Sequence, residues 1–185
     1  MADITLITGG ARSGKSGYAQ QLAEVGAGRK LYVATCPVTD DAEMRQRISK
    51  HRLDREGRDW ETLEEETDLT AVFRSEQRCD VVLVDCLTLW VSNIMHEAEK
   101  DGETLTEDSI RALCEPMLHA ARECCGHVIF VTNEVGQGIV PENAVARAYR
   151  DLAGRCNQLV ASEADQVVLM VCGIPVVVKP SRSVL

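Results

Sequence analysis

The chain has 185 residues, 45% of them hydrophobic, and a net charge of −9. That length suffices for one domain, spanning 1–185, with a sizeable core. An acidic balance gives no broad electrostatic reason to bind nucleic acid or anionic lipid. No apolar run approaches the roughly 18 residues of a membrane span. The N-terminus runs straight into a strand pattern and leaves no room for a signal peptide, so a cytoplasmic protein is expected. The eight cysteines include no C-x-x-C pair and no Cys/His spacing that fits zinc, so they read as reduced, mostly buried small hydrophobes.

The first strand is expected at about Ile4 to Thr8. It runs into Gly9-Gly10-Ala11-Arg12-Ser13-Gly14-Lys15-Ser16, which fits the phosphate-binding pattern G-x-x-x-x-G-K-[ST]. A helix follows from about Lys15 to Val25, stopping near Gly26 and Gly28. Strand, glycine loop and helix is the context this motif requires. The loop turns successive N–H groups toward an anion, and the helix start adds its positive end. Lys15 would reach the β/γ-phosphates, and the Ser16 hydroxyl would ligate Mg²⁺.

A second strand follows over residues 30–35, broken by Pro37. Asp40 or Asp41 is expected to cap a helix from about Ala42 to Arg55, with Met44 and Ile48 on one stripe and Gly57 beyond its end. Trp60 to Glu64 suits a short strand, and Asp68 to Ser75 a short helix. Residues 80–85 form an apolar run ending in Asp85, a strand buried on both faces whose terminal carboxylate is placed to serve Mg²⁺. Helix is expected from Leu87 to Ala98, then a polar surface loop through Thr104. The next helix spans Thr106 to Cys125, with Pro116 its weak point. His127 to Thr132 is a buried-type strand that delivers Asn133, Glu134, Gly136 and Gly138 to the sheet's carboxyl edge. Pro141 is expected to open a helix to about Ala164, with Val145, Tyr149, Leu152, Cys156 and Leu159 or Val160 on one face. A strand over 166–172 and a short edge strand from Pro175 to Lys179 complete the chain. The alternation predicts an α/β fold with a mostly parallel sheet.

Asp41 to Arg52 is strongly basic within an acidic protein. On a helix, Glu43, Arg47 and His51 are four apart and share a face. Neighbouring arginines would press an imidazole to stay neutral, and a neutral imidazole is a nucleophile toward phosphorus. A solvated basic helix is the other reading, and the residues alone leave both open. His96, His119 and His127 read as surface or structural.

Four blocks resemble the bifunctional adenosylcobinamide kinase / adenosylcobinamide-phosphate guanylyltransferase family of cobalamin biosynthesis. They are Thr8 to Ser16, Asp41 to Arg52 with its Arg-Ile-x-x-His core, Asp85-Cys86-Leu87-Thr88, and Val131 to Asn143. The last continues through residues 146–158, so the likeness spans nearly the whole chain. It implies a P-loop NTPase (RecA-like) three-layer fold and two reactions. One phosphorylates adenosylcobinamide with ATP or GTP. The other passes GMP from GTP through a guanylyl-histidine to adenosylcobinamide phosphate, releasing pyrophosphate. The resemblance places the nucleophile at His51. It places GTP contacts at Gly9 to Ser16 (Gly9, Gly10, Ala11, Arg12, Ser13, Gly14, Lys15, Ser16), Ala34, Thr35, Cys36, Arg52, Leu53, Asp54, Arg55, Glu64 and Asp85. It also implies a homotrimer; one domain of this size has little spare surface for a corrinoid, so docking in a groove between subunits is expected. Two departures stand out: Cys36 replaces a small Ser or Gly, and Asp85 stands where some members have Glu. Rival readings are a P-loop small-molecule kinase without guanylyl transfer and a GTP-binding regulator. The absence of an N-K-x-D box counts against the regulator.

Overall fold

The computed structural model describes residues 1–26, 28–37, 41–76, 78–124 and 126–181, with the backbone alone at residues 43, 44, 47, 51 and 54. Its elements are β1 (Asp3–Gly9), α1 (Lys15–Ala23), β2 (Lys30–Ala34), α2 (Ala42–Arg55), β3 (Trp60–Glu64), α3 (Leu69–Ser75) and β4 (Val81–Asp85). There follow α4 (Leu87–Lys100), α5 (Glu107–Glu123), β5 (His127–Val131), α6 (Ala144–Glu163), β6 (Gln166–Val171) and β7 (Ile174–Lys179). A cap by Asp40, a Met44–Ile48 stripe, a shared face of Glu43, Arg47 and His51, and a helix reaching Cys125 all lie outside the described residues.

The strands form one seven-stranded sheet in the order β3-β2-β4-β5-β1-β6-β7. All pairings are parallel except β6 with β7. Alternate residues of each strand face opposite layers. Ile4, Leu6, Val82, Val84, Val128 and Phe130 pack beneath α3, α4, α5 and α6. Ile7, Tyr32, Leu83, Ile129 and Val168 pack against α1. This burial on both faces is why β4 and β5 read as continuous apolar runs. Phe73 meets Phe130 edge to face at 5.7 Å, tying α3 to the sheet. No helix among the described residues is long and apolar enough to cross a membrane.

Several boundaries differ from expectation, each for a local reason. α6 begins at Ala144, not Pro141, because the Asn143 side chain accepts the Ala146 N–H at 3.0 Å and caps it there. On that helix Leu152, Cys156 and Val160 are buried, but Val145 is exposed. α1 stops at Ala23, since Val25 beyond it points into solvent and gains nothing from the helix. α4 runs on to Lys100 before Gly102 turns with φ +74°. α5 passes through Pro116 unbroken. The proline lies on the exposed side, where water can serve the carbonyl it frees, while Cys114, Met117 and Leu118 hold the buried side. Thr106 and Ser109 close a reciprocal cap at its start.

Candidate active site

β1 ends by turning Gly9 into φ +149°, and Gly14 at φ +96° hands the chain to α1. The loop between them is strapped from both neighbouring strands. The Glu134 N–H donates to the Gly9 carbonyl at 3.0 Å, and the Gly173 N–H donates to the Ser13 carbonyl at 3.0 Å. Lys15 is buried, and its Nζ donates to the Gly10 carbonyl at 2.7 Å, which places the ammonium within the curl of the loop. Ser16 is half-buried in the first turn of α1. A loop of turned-in backbone ending at a helix N-terminus is an anion cradle.

Register lines up a second group at the same edge. Ala34 of β2 pairs with both Glu64 and Asp85, and Asp85 pairs with Val131. Ala34, Glu64 and Asp85 therefore end three adjacent strands at one level. β5 alone separates Asp85 from β1, a spacing of about 10 Å at the usual strand separation. Thr35 follows Ala34 at the end of β2 and ties this strand to its neighbour. Its hydroxyl is fully buried, donating to the Cys86 carbonyl and accepting the Cys86 N–H, both at 2.8 Å. It holds the end of β2 to the end of β4. Cys36 is half-buried beside Pro37.

α2 brings its carboxyl end to this row. Arg52 pairs with Glu64 in an ion pair that is half-exposed on both sides; such a pair adds little stability. Leu53 is largely exposed. Arg55 is only 6% exposed and stacks its guanidinium 3.5 Å from the centre of the Tyr32 ring. Its Nε and Nη1 have no hydrogen-bond partner among the described residues. Burial lowers its pKa, opposed by Tyr32 and Asp85. The Tyr32 hydroxyl donates to Asp85 Oδ2 at 3.0 Å. Burial, then the Asp85 carboxylate, pushes that phenol well above its usual range, so it stays a neutral donor. Asp85 is thus partnered rather than an orphaned buried charge. Arg52, Leu53, Arg55, Trp60 and Thr62 line a cleft of about 580 Å³ beside this row. The side chains of His51 and Asp54 lie outside the described residues; the His51 backbone sits in α2, four positions before Arg55.

The structure therefore gathers the predicted residues into two groups, the loop Gly9–Ser16 and the row Ala34, Arg52, Arg55, Glu64 and Asp85. Sequence reasoning missed Tyr32 and a polar network behind the row. In that network Asn133 Nδ2 donates to Thr88 Oγ1 at 3.0 Å, and Cys86 Sγ lies 2.9 Å from the same hydroxyl. Tyr149 donates to the Thr88 carbonyl at 3.2 Å, and Asn157 donates to the Asn133 carbonyl at 3.2 Å. Burial raises Cys86 to about 11 and Tyr149 to about 12, so both stay protonated and serve as uncharged braces. His96 and His119 are exposed, and His127 is half-buried against Thr5, as the surface or structural reading expects.

The chain as a whole matches known proteins. The profile of the family described as cobinamide kinase / cobinamide phosphate guanyltransferase (CobU) matches residues 5–178. The chain belongs to that family. It is 41% identical over 184 residues to the bifunctional adenosylcobalamin biosynthesis protein CobU of Escherichia coli K12, covering 95% of this chain and 99% of that protein. The namesake of Salmonella typhimurium LT2 is equally similar, and CobP of Pseudomonas aeruginosa is 40% identical over 180 residues, covering 94% of this chain and 96% of that protein. Among solved structures, a prototypical ATPase from the type III secretion system of pathogenic bacteria is similar with a TM-score of 0.58 at 9% identity, over 90% of this chain and 50% of that one. That likeness speaks to the fold alone.

Proposed function

We propose that this chain is a bifunctional enzyme acting as one unit, 1–185, on adenosylcobinamide. In the kinase reaction the hydroxyl oxygen of the aminopropanol arm attacks the γ-phosphorus of ATP or GTP, the nucleoside diphosphate leaves, and the hydroxyl proton is lost. In the transferase reaction a His51 ring nitrogen attacks the α-phosphorus of GTP and pyrophosphate leaves. A phosphate oxygen of cobinamide phosphate then attacks the same phosphorus. The imidazole leaves, and adenosylcobinamide-GDP forms. Splitting one displacement into two through a reactive P–N bond is ordinary nucleophilic catalysis.

The observation that carries this reading is the sharing of one sheet edge by the anion cradle and the carboxyl end of α2, the helix that bears His51. Gly9 to Ser16 would grip the triphosphate, with Lys15 neutralising charge that develops on the transferred group. Ala34 to Cys36, Arg52 to Arg55, Glu64 and Asp85 would hold the rest of the nucleotide. A serine hydroxyl and one carboxylate, completed by phosphate oxygens and water, is a donor set that suits Mg²⁺. Ser16 and Asp85 would hold that ion, and its chemistry would be further neutralisation of phosphate charge. Among the described residues no cluster of three or more His, Cys, Asp or Glu forms an all-protein cage. Exposed apolar residues on β7, namely Ile174, Val176 and Val178, support assembly through this edge into the homotrimer that the family resemblance implies.

The decisive experiment uses GTP labelled at the α-phosphorus. The wild-type protein should keep label after denaturation, in an acid-labile and base-stable bond, and cobinamide phosphate should discharge it. Retained label on His51→Ala would assign the nucleophile elsewhere. No label on wild type, with phosphoryl transfer intact, would reduce the enzyme to a kinase.

A further inference from the structure

Asp85 and Arg55 are an obvious pair to neutralise one another. A guanidinium and a carboxylate brought together in a half-buried site form a bidentate ion pair, and that pair uses up the polar groups of both. Here neither Nε nor Nη1 of Arg55 bonds Asp85 or any other described group. One side chain stands between them. Tyr32 is the central residue of β2 and is 5% exposed. It pairs in register with Leu83, two residues before Asp85 on the neighbouring strand, so the phenol reaches along the sheet to the carboxylate. Its ring face carries the Arg55 guanidinium. Its ring is fixed by Trp60 at 6.3 Å and 85°.

We propose that Tyr32 is a positioning residue of the nucleotide site, a spacer whose hydroxyl fixes the Asp85 carboxylate and whose ring fixes Arg55, keeping carboxylate and guanidinium from closing on each other in an ion pair beside a nucleoside triphosphate. It touches no reacting atom; it acts through the two groups it separates. A flat ring gives the guanidinium an electrostatic seat away from the carboxylate. A hydroxyl orients the carboxylate without cancelling its charge. Aliphatic residues at this position would supply the burial and neither function. The proposal rests on the nucleotide-site reading of Arg55 and Asp85 above.

The test is a pair of mutant cycles read by GTP affinity, using calorimetry on the full-length protein, with melting temperature recorded for every variant. Tyr32→Phe keeps the ring and removes the hydroxyl. It should weaken GTP binding on the order of 10-fold. In an Asp85→Asn background the same change should cost less than about 2-fold, the signature of coupled residues. Tyr32→Leu should weaken binding further than Tyr32→Phe, and the extra loss should vanish in an Arg55→Met background. A merely structural tyrosine would lower the melting temperature of every variant and leave these losses additive. Additive losses, or GTP affinity indifferent to Tyr32→Phe, would overturn the proposal. Should Tyr32→Leu fail to fold, the Tyr32→Phe cycle decides alone. Wild-type protein that binds GTP without labelling His51 would remove the guanylyl-transfer reading and leave the spacer to be judged by affinity. Wild-type protein that binds no GTP would overturn both.

Discussion

Gly9 and Met170 are register partners across β1 and β6, and they meet so closely that the glycine has no room for a side chain. A Cβ at Gly9 would stand 2.6 Å from the Met170 carbonyl oxygen and 2.8 Å from Ser13 Oγ, at a φ of +149°. Backbone on one side and the loop on the other cannot both give way. Gly9→Ala should therefore lose on the order of 3 kcal/mol of folding stability, from overpacking and backbone strain together. It should also lose GTP binding, because relief of the clash opens the cradle. Gly10 is the contrast, since a Cβ there would meet nothing within 4 Å. Gly10→Ala should leave stability within about 0.5 kcal/mol of wild type. Urea unfolding of the two variants distinguishes them, and equal losses would refute the packing argument.

Lys15 holds its ammonium against the Gly10 carbonyl inside the loop. Lys15→Met keeps most of the buried stem and removes the charge. Phosphoryl transfer to adenosylcobinamide should fall on the order of 100-fold or more, as for other single transition-state donors. The melting temperature should stay close to wild type. Transfer from γ-labelled ATP, followed as corrinoid-bound label, checks this. A variant within about 3-fold of wild type would mean that Lys15 serves the loop and not the phosphates.

At the amino-terminal end of the strands, away from the loop, His127 lies half-buried beside Thr5, its Nε2 2.8 Å from Thr5 Oγ1. Burial lowers its pKa below the ordinary 6.5, while the Asp3 and Asp165 carboxylates pull it back up. In the unfolded chain the imidazole takes a proton near 6.5. The folded state therefore binds fewer protons over that interval, and stability rises with pH there. The contribution is fully present above about 6.5 and is lost as pH falls through the folded pKa. Melting temperature should decline between about pH 7 and pH 5, and His127→Gln should flatten that part of the curve. An unchanged slope would place the sensitivity in other groups.

Much of this architecture is legible in the residues themselves. Apolar runs such as Val81 to Val84 announce strands buried on both faces, and Gly9 to Ser16 announces the loop with its lysine. Ends of helices were harder to read, because they are settled by single hydrogen bonds. Asn143 capping Ala146 overrides the proline two residues earlier. At the site, charged residues were visible, since a carboxylate ending an apolar strand and arginines clustered on a helix stand out. Tyr32 did not, nor did the bracing role of Thr35, because a tyrosine and a threonine within a strand satisfy ordinary β-propensity. Their roles come from partners far along the chain, Asp85 and Cys86, and only the strand order places these side by side.

Thr35 offers the sharpest test of how the edge is held. Its hydroxyl serves two buried backbone groups at once, the carbonyl and the N–H of Cys86. Valine matches its shape and supplies neither donor nor acceptor. Thr35→Val should orphan the Cys86 N–H, while the carbonyl keeps the Trp90 N–H, and cost about 2 kcal/mol. Thr35→Ser keeps the hydroxyl and loses one methyl, so its cost should be about 1 kcal/mol. The two variants differ in opposite senses, one in polarity and one in volume. Hydrophobic packing as the dominant role would make serine the worse substitution. The hydrogen-bond account makes valine the worse, and it further expects Thr35→Val to slow labelling of His51 by α-labelled GTP, since Asp85 immediately precedes the peptide that Thr35 secures. Chemical denaturation of both variants, with labelling rates measured where each is fully folded, separates the two accounts.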